Sequence, residues 1–110
     1  MLTFWNGPRL YLLLPLSVAI ELIGAVMNRE RLLRKLAQGS FSNVAFRDFT
    51  NLVEGFGFQL IRVRGSHHIY GHTAFPDLLN IQNHRGQAKA YQLRQLLDLV
   101  ERYNLHLEED

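Results

Sequence analysis

After Met27 the apolar positions fall into a succession of helix, helix, strand, strand, strand, helix. Leu32, Leu33 and Leu36 share one face of a short first helix, with Asn28 placed to cap its start and Gly39 suited to its end. A loop over 39–43 leads to Phe46, Phe49, Leu52 and Val53, whose three-and-four spacing predicts a second helix stopped by Gly55 and Gly57. The run 58–64 alternates imperfectly, setting Phe58, Leu60 and Arg62 against Gln59, Ile61 and Val63, and its residue types predict a strand. Gly65 and Ser66 then form a turn. Beyond it His67, Ile69 and Gly71 point one way and His68, Tyr70 and His72 the other, so one of these sets must face solvent. The stretch 73–77 contains Pro76 and reads as a connection, which leaves 78–82 as a third short strand.

The last helix is expected from about Lys89. Leu93, Leu96, Leu97 and Val100 form its apolar stripe, while Arg94, Gln95, Asp98 and Glu101 cover its exposed faces. Neither this stripe nor that of the second helix can stay in water. Both helices are therefore expected against one side of a three-stranded sheet, giving an α+β domain.

The chain upstream of Met27 differs in character. Residues 10–26 read LYLLLPLSVAIELIGAV, close to the lower limit for a bilayer span but interrupted by Pro15 and Glu21. Arg9 alone makes no basic leader region, and no clean small-residue cleavage site follows. Signal or anchor, packed extension, and extension outside the domain all remain readings of this segment. The last is favoured, giving 1–26 as an apolar extension, 27–107 as the domain and 108–110 as a frayed acidic tail.

With 110 residues the chain is short enough for one two-layered domain, without room for a deep catalytic cavity. Function is therefore sought on a surface. The absence of cysteine excludes a disulfide framework, a thiolate zinc site and a cysteine nucleophile together. A net charge of +2 and a pI near 9.3 are compatible with an anionic partner such as nucleic acid.

All five histidines lie in the second half, and His67, His68, His72 and His84 sit on or beside the second and third strands. Each can be a solvated or a core imidazole. Zinc is disfavoured because His68 and His72 would stand four residue rises apart, roughly 13 Å, and although His67 or His68 could join His84 and another group in a site, no acidic or cysteine ligand has suitable spacing. No metal or other cofactor is expected. RNA cleavage asks for less, since the substrate carries its own nucleophile in the 2′-hydroxyl. One imidazole can move the proton while cations offset the charge at phosphorus. Arg62, Arg64 and Arg85 are the nearest cations in sequence, and Lys89 stands where the last helix offers free N–H groups. Plain surface solvation is the other reading of these side chains.

The segment 57–70, GFQLIRVRGSHHIY, resembles the signature of the HicA toxin family, and the resemblance extends over roughly 46–105. It implies a double-stranded-RNA-binding-domain-like fold, with three antiparallel strands packed against helices. It also implies a small ribosome-independent mRNA interferase held inactive by a HicB-type antitoxin that covers the catalytic histidine. By this resemblance His67 corresponds to that histidine, with His68 the runner-up. Gly65, followed by Ser66, matches the turn glycine, and His84 the residue closing the third strand. Arg62, Arg64, His84, Arg85 and Lys89 are the residues then expected to meet RNA. The chain departs from the family pattern in having Gly71, His72 and Thr73 where Arg-His-Pro is usual. It departs again over 86–92, where Lys89 alone fits the usual lysine-proline-glycine-threonine run.

The resulting expectation is a cytoplasmic, metal-independent endoribonuclease acting on single-stranded mRNA, with no membrane association and no need of a stable homo-oligomer. A non-catalytic RNA-binding or partner-binding module is the alternative, followed by an envelope-associated protein anchored through 10–26.

Overall fold

The computed structural model describes residues 14–108. Its elements are α1 (Leu16–Ala37), α2 (Phe46–Gly55), β1 (Gln59–Arg64), β2 (His67–His72), β3 (Phe75–Gln82) and α3 (Ala90–Tyr103). The strands form one antiparallel sheet in the order β1-β2-β3, so the expected succession and fold class hold at the level of topology.

One face of the sheet carries the core. Tyr70, Phe75, Leu79 and Ile81 point from it towards Phe49, Leu52 and Val53 of α2 and Leu93, Leu96 and Leu99 of α3, with Leu32 and Leu36 of α1 joining the same cluster. Each fully buried side chain of this size contributes roughly 1.5–3 kcal/mol relative to exposure. No helix among the described residues covers the other face, where Asn80 of β3 is exposed beside His67 and Leu78 is exposed further along the strand, by Gly71.

Two boundaries differ from the sequence expectation. The first helix starts at Leu16, and Asn28 lies within it as an acceptor for Arg31 Nη1 at 3.3 Å instead of capping its start. No proline stands between Leu16 and Met27 to break the turn pattern, and the helix runs on through Gly24 and the β-branched residues there. Of the upstream part, Ala19 is buried, and Ala25 O accepts a hydrogen bond from Asn51 Nδ2 at 3.0 Å. Arg29 Nε reaches both Asn51 O and Asn51 Oδ1 at 2.9 Å, so Asn51 is the polar joint between α1 and α2. The expectation for residues 1–13 and for the last two residues lies outside the described residues.

The third strand starts at Phe75 and not at Leu78. Pro76 is tolerated because β3 is an edge strand and needs no N–H on its outer side. The uneven alternation of β1 also has a cause. A β-bulge between Leu60 and Arg62 resets the register, so Leu60 pairs with Tyr70, whereas Arg62 pairs with Ile69, Val63 with His68 and Arg64 with His67. Ile61 is the extra residue, and its side chain lies over Gly71, where a Cβ would come within 2.7 Å of Ile61 Cδ1.

Candidate active site on the open sheet face

Paired residues of adjacent strands put their side chains on the same side of a sheet. The register therefore places Arg64 beside His67 and Arg62 beside Ile69 on the open face, with Gln82 opposite His67 on the far strand. His67 and both arginines are exposed. Ring atom Nδ1 of His67 lies 3.1 Å from Asn80 Oδ1, a diagonal contact across the β2–β3 pair.

His68 faces the other way. Its ring meets that of Phe46 edge-on, with centroids 4.9 Å apart, and its Nδ1 stands 3.4 Å from Ser66 O. It is half-buried where His67 is open. His72, on the same side of β2, is held away from the open face. Its Nδ1 accepts the Ala74 N–H at 3.0 Å, its Nε2 lies 3.0 Å from Phe56 O, and its ring stacks on Phe75, which stacks in turn on Tyr103. These contacts fix the hairpin between β2 and β3.

The Gly65–Ser66 turn joins β1 to β2 with Gly65 at a φ of 61°, a left-handed conformation that suits glycine. Ser66 is tied to the neighbouring strand end, its carbonyl accepting from Asn83 N at 2.9 Å and its Oγ lying 3.2 Å from Gln82 Nε2. The start of β2, and with it His67, is thus fastened on both sides.

His84, Arg85 and Lys89 occupy a different position from His67. His84 and Gln87 exchange backbone hydrogen bonds of 3.0 Å around Arg85 and Gly86, whose φ angles of 54° and 83° make a tight turn of the type that requires left-handed central residues. Gly86 O accepts from Phe46 N at 2.8 Å, and Ala88 N donates to Val44 O at 2.8 Å, so this turn is anchored to the start of α2. Arg85 is exposed at its tip. Lys89 is half-buried at the N-cap of α3. These groups share the end of the molecule that holds the Gly65–Ser66 turn, through the Asn83–Ser66 bond, but do not join His67 in one contact cluster.

Sequence reasoning missed Asn80. Its signal was present in the alternation of Leu78, Asn80 and Gln82 with Leu79 and Ile81, but only the strand register shows that its side chain meets His67. It also passed over Gln92, a buried polar residue of α3 on which the backbone of β3 rests. Gln92 Oε1 accepts from Gln82 N at 2.8 Å, and Gln92 Nε2 donates to Asn80 O at 3.3 Å.

Among the described residues, no group of three or more His, Cys, Asp or Glu side chains is placed to hold a metal ion. Among the same residues, no helix is long and apolar enough to cross a membrane. No curated protein and no solved structure matches the chain. A family model described as the HicA toxin of bacterial toxin-antitoxin matches residues 46–101, which is half of the chain and takes in all three strands, the turn before His67 and most of α3. The protein whose open sheet face carries His67 is thus a member of the HicA toxin family.

Proposed function

We propose that this protein is an mRNA interferase, a metal-independent endoribonuclease in which His67 moves the proton, and that a HicB-type antitoxin silences it by covering the open sheet face. The observation that carries this reading is the exposure of His67, inside the family-matched segment, on a sheet face that no described helix covers, with Arg64 in register beside it and Arg62 at the next same-face pair along β1.

In the proposed reaction, the phosphate of single-stranded RNA lies over Arg64 and Arg62, which offset the charge that accumulates on phosphorus oxygens. His67 Nε2 takes the proton of the adjacent 2′-hydroxyl. The 2′-oxygen bonds to phosphorus, the bond to the 5′-oxygen breaks, and the imidazolium returns its proton to that departing oxygen. The products are a 2′,3′-cyclic phosphate and a 5′-hydroxyl, with no water consumed. Arg85, His84 and Lys89, at the adjoining end, are proposed to hold the flanking strand by its phosphates.

The test compares wild type, His67→Ala and His68→Ala, each shown to be folded by circular dichroism, on a defined single-stranded RNA in excess chelator. Loss of His67 is expected to reduce the rate by about 10²–10⁴, the usual range for a general acid–base group. His68→Ala should cost much less, since that ring packs on Phe46. Full cleavage by folded His67→Ala would refute the assignment of this residue, and absolute dependence on a divalent ion would refute the mechanism. RNA binding without cleavage by wild type would favour a non-catalytic module instead.

A further inference from the structure

We infer that Asn80 is the positioning residue of His67, fixing the tautomer and direction of its imidazole; its consequence for cleavage rests on the reading of His67 as the proton-transfer group. A neutral imidazole carries one N–H and one lone pair, and which nitrogen holds which is set by the partner of the other. Asn80 Oδ1, 3.1 Å from His67 Nδ1, is an acceptor and selects the Nδ1–H form. The lone pair is then on Nε2, directed away from β3.

Among the described residues no acceptor hydrogen-bonds that nitrogen: the ring's contact is through Nδ1, Gln82 directly across donates its Nε2 to Ser66 Oγ, and Arg64, the partner on the other strand, can only donate. Asn80 is itself held from behind. Gln92, 3% exposed, receives the Gln82 N–H and donates to Asn80 O, so the backbone on both sides of residue 81 is pinned by a side chain of α3. A chain of contacts therefore runs from the helix layer through β3 to the ring. The geometry resembles a base held by an orienting group, where the third residue keeps the imidazole in the useful tautomer without touching substrate.

The experiment uses the full chain. Nitrogen–proton correlation spectra of the ¹⁵N-labelled imidazoles, recorded at alkaline pH where the rings are neutral, report the tautomer of each histidine; His67→Ala identifies the signal. His67 of wild type is expected in the Nδ1–H form. Asn80→Ala should return it to the Nε2–H form that free histidine prefers, while Asn80→Asp, which keeps an acceptor oxygen, should retain Nδ1–H. On the proposed RNA reaction Asn80→Ala should lower kcat on the order of 10- to 100-fold, as expected for a partner one hydrogen bond removed from the reacting group, with KM nearly constant. Asn80→Asp should rescue most of the loss. An Nε2–H signal in wild type, or a tautomer unchanged in Asn80→Ala, overturns the inference. An Nδ1–H signal that responds to Asn80→Ala in a protein that cleaves no RNA would uphold the positioning by Asn80 and defeat the ribonuclease reading alone.

Discussion

His67 and His68 are adjacent in sequence and separated by the thickness of a sheet. One ring is open to solvent and the other is spent on Phe46, so the doubled histidine offers one imidazole to the open face. Tyr70, two residues on, illustrates what the covered side does to a titrating group. Burial, and next the Glu54 carboxylate, push its phenol up from 10.0 to about 12. Between those values the unfolded tyrosine loses its proton while the native one keeps it, so unfolding releases a proton and rising pH favours it. The stabilising contribution is complete below pH 10 and lost as pH rises through about 12. Denaturant titrations across this window should show stability falling in wild type and a shallower fall in Tyr70→Phe. Equal slopes would show that Tyr70 is not the group responsible, leaving Tyr103, whose phenol is raised chiefly by its hydrogen bond to Asp77.

At the level of elements, α2 and α3 were legible because Phe46, Phe49, Leu52 and Val53, and then Leu93 and Leu96, repeat on a face that nothing else in the sequence contradicts. The starts of α1 and β3 were harder to read, since a start at Leu16 or Phe75 depends on context, and the local signals of Asn28 and Pro76 point against it. The candidate site was half legible: parity alone separated His67 from His68, but which side lay open depended on where the helices docked. Asn80 needed the register as well. For α1 a truncation is informative. Beginning the chain at Met27 removes the Ala25 carbonyl from Asn51 and the buried Ala19, but keeps Arg29, Leu32 and Leu36. Such a chain should unfold in one cooperative transition, with a loss of about 1 kcal/mol for the missing hydrogen bond. Loss of the transition in calorimetry would show that the upstream turns belong to the domain.

For the whole molecule, the proposed grip of a small basic chain on a phosphate backbone predicts salt-dependent binding. Using His67→Ala to prevent cleavage, the logarithm of affinity for single-stranded RNA should fall linearly with the logarithm of salt concentration, by about 0.7 for every phosphate neutralised. Adding Arg64→Ala should reduce that slope by about one such unit, whereas an unchanged slope would remove Arg64 from the RNA interface. The sheet itself has a further asymmetry. Along β3 the Gln92 amide answers the outer Gln82 N–H and Asn80 carbonyl, Pro76 has no N–H to offer, and Arg102 and Tyr103 close over Asp77. Along β1 every residue is exposed and the outer backbone has no neighbour among the described residues. A sheet with two free margins can recruit chain after chain into a growing fibre, but one with a single free margin can at most be met once, edge to edge, and growth ends there.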